Sequence, residues 1–339
     1  MAENFFVRLR HPEWWMDSIV GSALSPENAV VVTGFWRSGT TWLQQSLANA
    51  FHAKSVLEPL YPRFPLFRDE VLPSVKPSTG DDFSLLAFVS FVEESLDVSY
   101  PLEAYLERAL TSSLPGVYVR TTRYDSEKKD GRESLPEKVG YRIRDALKTR
   151  VVVKFTRAHL LLPEIRRLFG PTVLHIRRDP RAVWSSLKRT GWEWPREFSL
   201  ATHLLELDDG RRALFDDQSE LIREIDRMGP AARIGGYWAC LEQEVQRYKE
   251  NGGNFSIVTY KQLCLEGTDH LAEVLSQSHT DPSTSFELNR NSYSTQRSRE
   301  NASLQQRVYG WKNELPRAEV RDIEQALKKL DATDLLPDA

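Results

Sequence analysis

Residues 29–51 hold the feature that most limits how this chain can fold. A β-branched run, Ala-Val-Val-Val-Thr (29–33), leads into a turn bracketed by Gly34 and Gly39 and then into a helical pattern over 41–51. A buried strand that feeds a helix through a tight glycine turn commits a chain to α/β architecture, because the helix must pack back onto the sheet. Three further runs have the same character: Arg150–Lys154 (RVVVK), Thr172–Ile176 (TVLHI) and Phe255–Thr259 (FSIVT). None alternates cleanly between apolar and polar, which suits strands covered on both faces. Helical patterns at 160–168, 180–189 and 231–250 lie between them, and 317–330 reads as an amphipathic surface helix. The pattern predicts a three-layer α/β fold with a central parallel sheet and a P-loop-like strand–loop–helix. It also predicts helices outside the sheet over 83–111, an exposed loop over 120–142 and further helices over 191–229.

Composition narrows the class. The 339 residues are 40% hydrophobic and 27% charged, as in a globular chain with a real core. The formal net charge of −3 argues against a nucleic-acid partner, which needs a basic field to displace counterions. A small anion needs only a local cluster of arginines. The two cysteines, Cys240 and Cys264, point to a reducing, cytoplasmic setting. No run approaches the ~18 apolar residues of a membrane span. The seven histidines show no metal-ligand spacing, so no metal site is expected.

The turn at 34–42, Gly-Phe-Trp-Arg-Ser-Gly-Thr-Thr-Trp, is an anion cradle. Amides at a helix start point outward, and the helix dipole favours negative charge there. A nucleoside triphosphatase would read GxxxxGK[ST]. Here Thr40 follows Gly39 where that lysine would stand, and the cation has moved inside the loop to Arg37. A divergent nucleotide or small-molecule kinase stays open as an alternative, as does a non-catalytic nucleotide-binding protein.

A second anion site is encoded at 173–189. A strand ends at Ile176, and Asp179 and Pro180 form a cap and first residue for the next helix. Arg178 at the strand end and Ser186 two turns into that helix can converge on one phosphate. An ordinary salt-bridged strand end, made of Arg177, Arg178, Arg181 and Asp179, is the competing reading. Two anion sites at successive strand ends suit one nucleotide lying across the carboxyl edge of the sheet.

Arg-Ser-Gly-Thr-Thr-Trp at 37–42 resembles the 5′-phosphosulfate loop of the sulfotransferases that use 3′-phosphoadenosine 5′-phosphosulfate (PAPS), in particular the carbohydrate and tyrosylprotein branch. Arg178 and Ser186, eight positions apart, resemble the family's 3′-phosphate motif. The resemblance implies PAPS as co-substrate, 3′,5′-ADP as product and a metal-independent reaction. It implies that Arg37, Ser38, Gly39, Thr40, Thr41, Trp42, Arg178 and Ser186 bind the nucleotide. The tail 292–315 resembles the family's closing segment, so Arg297 or Arg299 is expected at the 3′-phosphate, and Trp311 either packs the tail or touches ligand.

Cytosolic members of the family place a histidine two positions after a strand-end lysine. The matching strand here ends at Lys154, and Thr156 stands at that offset. The carbohydrate and tyrosylprotein branch uses a glutamate after the first helix, and Glu58 in Val-Leu-Glu-Pro-Leu matches its position. Lys154-Phe-Thr-Arg157 likewise resembles that branch's Lys-x-x-Arg. The resemblance therefore implies Glu58 as general base, with Arg37 stabilising the leaving group and His159 as the alternative base. The competing reading of Glu58 is a solvated loop carboxylate. The chain is expected to be one domain over 1–339, with a PAPS-binding core at about 29–190 and 231–315. Insertions at about 60–145 and 191–230 would shape the site of a hydroxyl acceptor: a small molecule, a carbohydrate or a glycolipid. The doublets Arg166-Arg167 and Arg211-Arg212 read as solvated helix faces.

Overall fold

The computed structural model describes residues 24–75, 85–91, 100–114, 148–276 and 302–337. Five strands form one sheet: β1 Val30–Thr33, β2 Lys54–Leu57, β3 Val151–Phe155, β4 Thr172–Arg177 and β5 Ser256–Thr259. Their order is β2-β3-β1-β4-β5, and every pairing is parallel. The four expected strands are present to within a residue at each end. The strand missing from the sequence reading is β2, Lys-Ser-Val-Leu, a four-residue edge strand whose two polar residues hide its β character. It pairs with β3 in the register Lys54↔Val151 to Leu57↔Lys154. A side chain of the first helix also holds it: Gln44 Nε2 donates to Val56 O at 2.7 Å and to Val152 O at 3.2 Å.

The helices used below are α1 Thr40–Ala50, α2 Tyr100–Leu110, α3 Leu162–Phe169, α4 Pro180–Thr190, α5 Pro230–Glu250, α6 Tyr260–Leu265, α7 Leu304–Tyr309 and α8 Arg317–Lys329. Alternate strand residues face opposite layers. Val31, Val151, Val153 and Val173 pack with α2 and Ile165 of α3 on one side. Val30, Val32, Val152, Leu174 and Ile176 pack with α1 and α6 on the other. This double burial explains the unbroken valine runs. A third apolar body joins α4, α5 and α8 to the short helices between 194 and 226. Residues 191–229 are thus helical, as their sequence predicts. Of 83–111, the described part contains α2, and the loop expected over 120–142 lies outside the described residues.

Arg211 departs from the sequence reading. It is fully buried rather than solvated. Its guanidinium pairs with Asp209 at 2.7 Å and donates to His203 O and Val89 O. Arg212 beside it stays exposed and pairs with Asp216 at 2.9 Å. The carboxyl ends of β1, β3 and β4 lie side by side at the centre of the sheet, which is where ligands of open α/β sheets bind.

Candidate active site

The loop after β1 takes its shape from two close approaches. Gly34 has φ +151°, and a Cβ there would lie 2.4 Å from Ile176 O of β4. Gly39 has φ +96°, and a Cβ there would lie 2.6 Å from the ring of Tyr260. Glycine is required at both places on steric grounds. Gly39 is the N-cap of α1 and offers no side-chain cap. The first amides of a helix have no intrahelical acceptor, so this end is suited to an anion.

Arg37 reaches across to α4. Its Nε donates to Ser186 Oγ at 3.0 Å, and its guanidinium lies 5.9 Å from the ring centroid of Trp192. Trp192 follows the helix-ending Gly191 and is 43% exposed, so an aromatic face stands open beside the loop. Burial and the positive charges of Arg178 and Arg189 push the Arg37 guanidinium down to about 10. The positive charges of Arg178 and Arg189 would favour an incoming anion; the burial by itself does not.

Arg178 donates to Arg37 O and to Arg307 O, each at 2.8 Å, and lies 4.2 Å over the Tyr260 ring. Its hydrogen-bond partners are neutral carbonyls. The other charges of this strand end are spent on structure, in part as the salt-bridge reading expects. Asp179 accepts from Arg181 N as the α4 cap and pairs with the Arg181 side chain at 2.7 Å. Arg181 also stacks 4.3 Å over Trp311. Trp311 is buried in the helical core, so it packs the tail. Arg297 and Arg299 lie outside the described residues.

The remaining loop residues divide by role. Thr41 Oγ1 accepts from Lys154 Nζ at 2.7 Å. Ser38 Oγ is buried without a partner. Thr40 is buried at the first position of α1. Trp42 is buried edge-on to Tyr260, with centroids 5.5 Å apart.

Glu58 is far from a solvated carboxylate. Its side chain is only 14% exposed. Oε1 receives Thr156 Oγ1 at 2.5 Å and Lys154 Nζ at 3.0 Å. Oε2 receives Thr156 N at 3.2 Å and faces Arg157 Nη1 at 3.5 Å. Burial alone would raise this carboxyl, but Lys154, Arg157 and the Thr156 hydrogen bond outweigh it and hold it below the usual carboxylate range. Arg37 (φ +64°) and Glu58 (φ +50°) both sit in the left-handed region, which costs a non-glycine residue on the order of 1–3 kcal/mol. Strain of that kind is retained where surrounding contacts over-determine it.

His159 lies elsewhere. It is buried against Phe35, with neither ring nitrogen hydrogen-bonded, and burial drives it down to about 3. The fold also gathers what histidine spacing did not show: His159, His175 and Glu242 place ligand-type atoms within 4.8 Å of one another. Glu242 Oε2 already receives His175 Nε2 and Arg177 Nε, each at 2.9 Å. Arg177 therefore balances the carboxylate, and a divalent ion would add uncompensated charge to a buried site. The bonds of His175 and Arg177 to Glu242 tie β4 to α5, and His159 stands beside them without a hydrogen bond.

Three site residues went unrecognised in the sequence. Gln44 positions β2, Tyr260 forms the floor under Arg178 and Gly39, and Thr156 bonds Glu58. Thr156 had a positional signal, two residues after the strand-end Lys154, and Tyr260 had a local one. Tyr260 opens a helix directly after β5, marked by the Thr259/Gln262 capping box.

Residues 29–234, more than half of the chain, match the model of the sulfotransferase family. The chain belongs to that family. Among solved structures, this sulfotransferase is similar to the sulfotransferase domain from the Synechococcus PCC 7002 olefin synthase, at 15% identity and a TM-score of 0.39, covering 91% of this chain and 96% of that one. It is also similar to sulfotransferase STF9 from Mycobacterium avium, at 13% identity and a TM-score of 0.38, covering 97% and 81% of the two chains. No curated protein matches it. No helix among the described residues is long and apolar enough to cross a membrane.

Proposed function

We propose that this sulfotransferase moves the sulfonyl group of PAPS to a hydroxyl of a small-molecule, carbohydrate or glycolipid acceptor and releases 3′,5′-ADP. The observation that carries the reading is the pairing of Arg37 with Ser186 and the neutral partners of Arg178. Together they put two guanidiniums and a hydroxyl at the carboxyl edge of the sheet, beside an uncapped helix start. A nucleotide with phosphates at both its 5′ and 3′ positions matches that arrangement.

PAPS supplies the activated sulfonyl group. Arg37 and the loop amides around Ser38, Gly39 and Thr40 would stabilise charge growing on the departing 5′-phosphate, as preorganised donors do. Arg178 and Ser186 would bind the 3′-phosphate, and Arg178 would exchange its carbonyl partners for phosphate oxygens, a stronger class of bond. Glu58 is held ionised and close to the loop through Lys154, which also donates to Thr41. An ionised carboxylate at that place can take the acceptor's proton. Residues 60–145 and 191–230 would shape the acceptor site, with the open face of Trp192 at its rim.

The test offers labelled PAPS, and separately ATP with magnesium, to a panel of sugars, glycolipids and phenols, with product masses read directly. Products heavier by one sulfonyl group, with release of 3′,5′-ADP, are expected. Phosphorylated products, or nucleotide binding without turnover on any acceptor, would overturn the reading.

A further inference from the structure

Glu58 is already crowded by donors. A carboxylate offers about four acceptor positions on its two oxygens. Here Thr156 Oγ1 and Lys154 Nζ lie on Oε1, Thr156 N donates to Oε2, and Arg157 Nη1 forms a longer ion pair with Oε2 at 3.5 Å. A hydroxyl acceptor that binds Glu58 directly would compete with them. Lys154 and Arg157 are buried cations for which Glu58 is the counter-charge, and removing that partner is costly. The Thr156 amide is fixed at the end of β3. The fourth donor, the Thr156 hydroxyl, differs from the others. A hydroxyl gives one proton and keeps two acceptor lone pairs. No donor to Thr156 Oγ1 occurs among the described residues, and its 2.5 Å contact with Glu58 Oε1 has the length of a charge-assisted O–H···O bond.

We propose that Thr156 relays the acceptor's proton to Glu58. The acceptor hydroxyl donates to Thr156 Oγ1, which already donates to Glu58 Oε1. In the transfer, the acceptor oxygen bonds sulfur, and the bond from sulfur to the bridging oxygen of the 5′-phosphate breaks. That electron pair leaves with 3′,5′-ADP. The acceptor's proton passes to Thr156 Oγ1 while the threonine's own proton passes to Glu58. Thr156 ends unchanged, and Glu58 returns its proton to solvent after product leaves. Lys154 and Arg157 keep their contacts with Glu58 throughout, and their counter-charge is restored when Glu58 loses the proton. This step rests on sulfonyl transfer with Glu58 as base.

The experiment compares wild type with Thr156→Ser, Thr156→Val and Thr156→Ala in steady-state turnover, in proton inventories run in mixtures of light and heavy water, and in 3′,5′-ADP calorimetry. Unchanged 3′,5′-ADP affinity shows that each variant keeps the fold. The relay predicts that serine retains turnover and that valine and alanine lose about 10²-fold or more in kcat with little change in the KM for PAPS. It also predicts a curved, two-proton inventory for wild type and the serine variant. Unchanged or faster turnover in the valine or alanine variant, or a linear inventory in wild type, overturns the relay and leaves Glu58 as a direct base. An active wild type with undiminished turnover in Glu58→Gln would instead sink the base assignment. A wild type that never consumes PAPS would sink the whole reading.

Discussion

Acidification from pH 7 to pH 5 should carry a destabilising contribution from His159, by an amount that the burial of that side chain sets. His159 is 2% exposed; burial, helped by His175 and partly offset by Glu242 and Glu58, lowers it from an ordinary 6.5 to about 3. A histidine depressed in the fold is neutral there and charged in the unfolded chain below about pH 6.5, so stability falls as pH falls through that value. The loss continues until about pH 3, where the folded form also protonates. Linkage between values of 6.5 and about 3 gives a loss of about 2 kcal/mol at pH 5, growing to roughly 5 kcal/mol below pH 3. Glu242, held at about 2, acts in the same direction but loses its contribution mainly below its ordinary value of 4.5. Glu244, raised by burial to about 7, acts in the opposite direction between pH 7 and 5, so the histidine's share is read from the difference between wild type and a variant. The assay is urea unfolding followed by tryptophan fluorescence at pH 7 and pH 5, for wild type and for His159→Phe, which keeps an aromatic ring against Phe35. The pH effect should shrink in the variant by about 2 kcal/mol. Equal pH effects in the two proteins, or a His159 ring proton that titrates near 6.5 by NMR, would refute the reasoning.

Three further outcomes test the site. Arg178→Ala should weaken 3′,5′-ADP much more than 5′-AMP in calorimetry, because it removes a charge-assisted contact to the 3′-phosphate; equal losses would remove it from the clamp. Arg37→Ala should slow single-turnover sulfonyl transfer by roughly 10²–10³-fold, and an unchanged rate would take it out of the chemistry. Gly34→Ala should lower the melting temperature and abolish nucleotide binding together, since a Cβ 2.4 Å from Ile176 O forces the loop away from β4; normal binding would show that the loop tolerates another path.

Much of the fold was legible because covered parallel strands advertise themselves. Valine runs at 30–32 and 151–153 cannot be surface, and the glycine turn between strand and helix leaves one class of architecture. β2 was not legible, because Lys54 and Ser55 interrupt the pattern and the strand depends on pairing with β3 and on the Gln44 side chain. Arg211 was misread for a related reason. Its charge is matched by Asp209 two residues away and by carbonyls of His203 and Val89, and the Val89 contact is distant in the chain.

In the site, the chain by itself determined the residue types and their strand-end placement: Arg37 between two glycines, Arg178 and Ser186 eight apart, and Glu58 before a proline. Those follow from local steric and capping demands, which act over a few residues. Tertiary structure alone decided which of them meet. It joined Arg37 to Ser186 across 149 positions and seated Arg178 over Tyr260. It surrounded Glu58 with Lys154, Thr156 and Arg157, close to a hundred positions away. It buried His159 beside His175 and Glu242, with no hydrogen bond to either. The physical reason is that a side chain's charge state and hydrogen-bond partners are set by desolvation and by neighbours brought from distant strands.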